Sequence, residues 1–150
     1  MHLFKEIFGL FKSVVKKDAQ ERVKQVIVMR KLYPDGRGGM RKIRTGKMIA
    51  QGAHASMAWL TSMLRDGGSI KLTSAERKWI DEDFKKIVVG VDTEDELLCV
   101  FDAALRAGLR VQIIKDSGWT EFTGPTRTCL AIGPDYESKI DAVTEHLSLL

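Results

Sequence analysis

Residues 86–115 read KIVVGVDTEDELLCVFDAALRAGLRVQIIK, and this stretch decides the fold class. KIVVGV (86–91) is short and rich in β-branched residues, which predicts a buried strand. Thr93 and Glu96 have capping-box spacing, so a helix starts there. It ends at Gly108, the glycine expected just past a helix C-terminus. RVQIIK (110–115) is a second β-branched run. Strand, helix and strand in thirty residues is the repeat of an α/β layer protein.

The same grammar extends in both directions. KQVIVMRK (24–31) predicts a strand, and RTCLAIG (127–133) another that Pro134 should break. A helix is expected from Thr45 as N-cap to about Arg65, stopping before Asp66-Gly67-Gly68. Thr73 and Glu76 form a second capping box, for a helix to about Phe84. A last helix should run from Asp135 to about His146. The residues thus predict an α/β layer fold around a mostly parallel sheet. The loop 116–126 is too short for a crossover, which permits antiparallel pairing of the two final strands.

With 150 residues the chain is expected to form one domain with a real core. Its net charge of +4 is unevenly spread. Residues 1–47 carry 13 Lys/Arg against 4 Asp/Glu, whereas residues 48–150 carry 11 against 16. The basic portion suits phosphates or anionic lipid, or is an ordinary solvated surface of uneven sign. Cys99 and Cys129 lie far apart, and with three histidines they form no zinc spacing, so neither metal nor disulfide framework is expected and the compartment reads as cytoplasmic. No run reaches the ~18 apolar residues of a membrane span. At the start, Leu3, Phe4, Ile7, Phe8, Leu10, Phe11, Val14 and Val15 recur at helical spacing among lysines. This predicts an extra amphipathic helix in an N-terminal extension, residues 1–23. It would pack on the chain's own core or a dimer mate, lie on a membrane surface, or dock on a partner.

Gly46-Lys47 invites a P-loop reading, which fails: Arg41 and Met48 stand where a glycine and a hydroxyl are needed. On a helical wheel, Ile49, Ala53, Met57, Leu60 and Leu64 share one side, expected to face the sheet. Lys47, Gln51 and His54 line the opposite side among alanines. A lysine, an amide and an imidazole above small residues suit a ligand, and small residues suit close helix packing equally. Asp116 directly follows a predicted strand, at the carboxyl edge where open α/β sheets bind ligands. It can orient water near a lysine, or simply cap a turn.

GKMIAQGAHAS (46–56) and DSGWTEFTGPTRTCLAIGP (116–134) resemble the two signatures of type-2 peptidyl-tRNA hydrolases. VDTEDELLCVFDAALRAGL (91–109) and IDAVTEHLSLL (140–150) resemble further blocks of that family, in the right order. The resemblance covers residues 24–150. It implies a three-layer α/β sandwich whose four-stranded mixed sheet is flanked by helices, usually in a homodimer. It also implies hydrolysis of the ester joining a peptide to the 3′ end of tRNA, without metal or other cofactor. Lys47, Gln51, Asp116 and Thr128 match the family's functional positions, and His54 lies within the first signature as a supporting residue.

On this reading Lys47 meets a phosphate or the developing oxyanion, and Asp116 orients water or holds Lys47. Thr128 meets the ester or the leaving oxygen. Arg37, Arg41, Lys42 and Arg44 grip the acceptor stem by its phosphates. Gly118, Trp119 and Thr120 line the substrate, with Trp119 able to stack on the terminal adenine. Trp119, like Thr45, stands where the family commonly carries a basic residue. The competing expectation is a tRNA- or ribosome-associated binding module that keeps the fold without turnover.

Overall fold

The computed structural model describes Glu6, residues 20–65, Gly67 and residues 69–150. The amphipathic helix expected over residues 3–15 lies outside the described residues. The elements follow in the order β1 (Val23–Arg30), β2 (Tyr33–Pro34), β3 (Met40–Arg41), α1 (Thr45–Arg65), α2 (Ser74–Asp81) and β4 (Lys86–Val91). Then come α3 (Glu94–Arg106), β5 (Val111–Asp116), β6 (Thr126–Tyr136), α4 (Glu137–Thr144) and β7 (Ser148–Leu149). The main sheet has the order β5-β6-β1-β4-β7 and is mixed: β1 and β4 are parallel, and every other neighbouring pair is antiparallel.

Both capping boxes form: Thr73 with Glu76 opens α2, and Thr93 with Glu96 opens α3. Gly108, at φ 70°, closes α3, where the N–H groups of Gly108 and Leu109 donate to the carbonyls of Leu105 and Ala104. These signals act within three or four residues, which is why they are legible locally.

The sheet is thus mostly antiparallel where the alternation of strands and helices predicted mostly parallel pairing, and three further expectations need correction. Among the described residues the sheet has five strands, not four, because the chain turns after α4 and its end pairs Leu149 with Val89 and Ser148 with Gly90. Two residues carry no periodicity, but they satisfy the otherwise open edge of β4. Pro134 does not end the last strand. Between Lys24 and Val26 the register with β6 shifts, so Gly133 and Pro134 lie in a bulge, where a residue without an N–H is tolerated. The strand therefore continues to Tyr136, and the final helix starts two residues later than expected.

The third correction concerns α1. Most of the side expected to face the sheet is exposed: Ile49 is 68% accessible, Met57 48% and Leu64 55%, while Leu60 packs against the Trp59 and Trp79 cluster. The buried side carries Gln51, Ala55, Ser56 and Trp59. Ala55 is small enough for close approach to Ile27, Met29, Cys129 and Ala131 of the sheet. The buried polar side chains are hydrogen-bonded, which removes most of the cost of burying them. Ser56 Oγ donates to Gln25 Oε1 at 2.7 Å, and Gln25 Nε2 returns a bond to the Ser56 carbonyl at 3.1 Å.

Helices α3 and α4 cover the other sheet face through Leu97, Val100, Ala104, Ile140 and Val143, packed on Val26, Val28, Val89, Leu130 and Ile132. At the near end of the first face, α2 joins α1 through Trp59 and Trp79. The result is three layers, with β1, β4 and β5 ending at the edge where α1 begins.

Candidate active site

The first turn of α1 and the last residue of β5 meet at that edge. Lys47 Nζ donates to Asp116 Oδ2, and both side chains are largely buried. Sixty-nine residues of chain separate them. Gln51, one turn along α1, donates from Nε2 to the same Asp116 oxygen at 3.0 Å. Thr128 of β6, fully buried, donates from its hydroxyl to Gln51 Oε1 at 2.5 Å. That bond fixes the amide orientation, so its N–H points at Asp116. The Gly118 N–H donates to Asp116 Oδ1 at 2.9 Å. Lys47, Gln51, Asp116 and Thr128, named from the sequence, thus form one connected chain of hydrogen bonds.

Burial alone would raise the Asp116 carboxyl. The Lys47 ammonium, the Gly118 N–H and the Gln51 amide outweigh it and hold the pKa below the ordinary aspartate value. Asp116 is therefore an anion at neutral pH, with its orientation set from three directions. Gly118 cannot be replaced without moving backbone. Its φ is 83°, and an added Cβ would lie 2.4 Å from the Gly124 carbonyl oxygen.

The loop between β5 and β6 roofs the site. Thr120 Oγ1 lies 3.5 Å from Lys47 Nζ. Trp119 is 89% exposed at the rim. Phe122 packs on Tyr33 with ring centroids 4.9 Å apart, and the Lys47 ammonium is 5.9 Å from the Phe122 centroid. Buried Tyr33 donates to the carbonyls of Arg30 and Thr128 at 3.0 and 3.3 Å, tying β1 to the residue that orients Gln51.

The basic segment docks against this loop. Arg44 donates from its backbone N and from Nε to the Glu121 carboxylate, and Arg41 donates to the Glu121 carbonyl. Arg37 and Lys42 are exposed. His54 is also exposed, and the hydrogen bonds of the site do not include it. Among the described residues no group of three or more His, Cys, Asp or Glu side chains could hold a metal ion.

Reading by spacing missed Tyr33, Glu121 and Phe122. Their roles come from contacts across 75 to 95 residues, for which spacing carries no signal. An apolar groove of about 600 Å³ lies on the other side of α1 and includes none of the four linked residues.

Fold and site together define a three-layer α/β protein with a lysine–carboxylate pair at the carboxyl edge of a mixed sheet. The family model for Peptidyl-tRNA hydrolase PTH2 matches residues 23–150, and the chain belongs to that family. It is 38% identical over 130 residues to the peptidyl-tRNA hydrolase of Methanothermobacter thermautotrophicus, covering 85% of this chain and 100% of that one. It is 41% identical over 105 residues to the protein of the same name from Methanocaldococcus jannaschii, 70% of this chain and 87% of that one. The Nanoarchaeum equitans protein of that name is 38% identical over 127 residues, 85% of this chain and 98% of its own.

Proposed function

We propose that this protein hydrolyses the ester joining a peptide, or an N-blocked amino acid, to the 3′ end of tRNA, releasing tRNA from aborted translation. The observation that carries the assignment of roles is the junction of Lys47 with Asp116. It supplies an ammonium and an oriented anion at one point of the sheet edge. A water oxygen adds to the ester carbonyl carbon, and the bond from that carbon to the ribose oxygen breaks. The proton lost by the water ends on the 3′-oxygen. Asp116 orients the water, and Lys47 stabilises negative charge on the carbonyl oxygen as it develops. Gln51 holds Asp116. Thr128 is better suited to positioning Gln51 than to meeting the ester, since its hydroxyl is buried and already donated.

Arg37, Arg41, Lys42 and Arg44 grip acceptor-stem phosphates, and this contact is sequence-independent and salt-sensitive. Gly118, Trp119 and Thr120 face the 3′ end, with His54 further along α1. The reading includes a homodimer acting in the cytoplasm. No helix among the described residues is long and apolar enough to cross a membrane.

Purified protein incubated with an N-blocked aminoacyl-tRNA tests the assignment. Wild type should release the blocked amino acid, and Lys47→Ala and Asp116→Asn should not. Binding without release by wild type would establish the non-catalytic module instead.

A further inference from the structure

Helices α2 and α3 open in the same way. The third helical residue is a glutamate, Glu76 or Glu96, whose carboxylate turns back to accept the backbone N–H of the cap residue. The distances are 2.8 Å from Thr73 and 3.0 Å from Thr93. Helix α1 cannot open like this. Its third residue is Lys47, and its first turn contains no acidic side chain. Its cap is Arg44, one residue before the Thr45 expected from the sequence. The Met48 N–H donates to the Arg44 carbonyl at 3.0 Å, the first bond of the helix.

The missing acceptor comes from the loop between β5 and β6. Glu121 Oε2 accepts the Arg44 backbone N–H at 3.2 Å, the bond that Glu76 and Glu96 accept in their own helices. The other oxygen of Glu121 accepts from Arg44 Nε at 2.7 Å, and its carbonyl accepts from Arg41. The Glu121 side chain is only 9% accessible. Two short spans of chain are therefore pinned together at both ends. Residues 44–47 and 116–121 meet through Arg44 with Glu121 and through Lys47 with Asp116. Thr120, next to Glu121, lies 3.5 Å from Lys47 Nζ. The two carboxylates also offset the positive end of the helix, which by itself repels an ammonium in the first turn.

We propose that Glu121 is a positioning residue for ester hydrolysis. It is the N-terminal carboxylate that α1 lacks, and it holds the first turn of the helix against the loop so that Lys47 sits on Asp116. The lysine occupies the place of a capping glutamate, and the loop that brings Asp116 also brings the substitute. The effect of Glu121 on turnover rests on the hydrolase reading, whereas its effect on Lys47 rests on this geometry alone. Arg44 already has a partner in Glu121, so removing Glu121 should not weaken the hold on tRNA phosphates.

Glu121→Ala and Glu121→Gln test this in the full chain, with an N-blocked aminoacyl-tRNA as substrate and the Lys47 side chain followed by NMR. Glu121→Ala should lower kcat several-fold with KM unchanged or lower. Its Lys47 Cε and Nζ signals should move toward those of a solvent-exposed lysine. Glutamine also serves in capping boxes, so Glu121→Gln should fall between wild type and Glu121→Ala. Circular dichroism checks the fold, and if Glu121→Ala does not fold, Glu121→Gln carries the comparison. Unchanged kcat and unchanged Lys47 signals would overturn the proposal. So would a raised KM with kcat unaltered, which places Glu121 on the substrate. A lowered kcat with the Lys47 signals in place would overturn it too, because the effect then bypasses Lys47. If wild type releases no blocked amino acid, the hydrolase reading fails and the Lys47 signals alone decide: movement in the variants supports the seating of Lys47 by Glu121, and no movement overturns it.

Discussion

The two sides of helix α1 have opposite fates. The side bearing Gln51, Ser56 and Trp59 is buried, although two of these three are polar. The side bearing Ile49, Met57 and Leu64 is accessible, although all three are apolar. Hydrophobicity ranks the sides the wrong way because it ignores partners. Gln51 finds Asp116 and Thr128, and Ser56 finds Gln25, so each polar group exchanges its water for a protein hydrogen bond. The apolar side faces the half of the sheet that no described helix covers. One side of the helix therefore carries the buried hydrogen-bonded residues, and the other stays apolar and accessible.

Perturbing the buried side should have the largest effect. Asp116→Asn and Lys47→Ala should each lower turnover at least tenfold, about 1.4 kcal/mol of barrier, with the fold retained by circular dichroism. Full activity in either would detach the pair from the chemistry. Gly118→Ala comes next. The strained φ and the backbone clash should cost more than about 1 kcal/mol in denaturant unfolding and lower turnover with it. Thr128→Val removes one hydroxyl and leaves the Gln51 carbonyl oxygen unpaired, costing about 1–3 kcal/mol of stability. It should lower kcat by less than Asp116→Asn while leaving KM for tRNA unchanged; a raised KM would place Thr128 in contact with substrate.

The pH dependence follows from the sign of the Asp116 shift. Its folded pKa lies below the ordinary value of 3.8. Its contribution to stability is thus full above the unfolded pKa and is lost as pH falls through the lower folded one. A kcat profile between about pH 4 and 7 should show no acid limb from this residue. An inflection in that range that disappears in Asp116→Asn would contradict the assigned environment. The smallest effect belongs to the thiols. Cys129 lies beneath Gln51, and burial pushes its pKa up to about 12, whereas Cys99 is exposed. A thiol reagent at neutral pH should label Cys99 alone and leave turnover unaltered.

Much of the architecture was legible because its signals are short. Thr73 with Glu76, Thr93 with Glu96, and Gly108 each act through hydrogen bonds within a turn. Lys47, Gln51, Asp116 and Thr128 were legible through two family motifs, and the hydrogen-bonded chain they form supports grouping them. Glu121, Tyr33 and Phe122 were not, since their partners lie far along the polypeptide. The edge strand Ser148–Leu149 and the bulge at Pro134 escaped notice for a related reason: each exists only because another strand lies alongside it.

By itself the sequence determined where α2 and α3 begin and where α3 ends, the alternation that makes this an α/β protein, and the motifs of its family. These rest on local hydrogen bonding and on residue types at fixed spacing. Only the tertiary structure decided which side of α1 is inside and what orients Asp116. Burial of a polar side chain depends on the partner waiting for it, and that partner is supplied by a different strand.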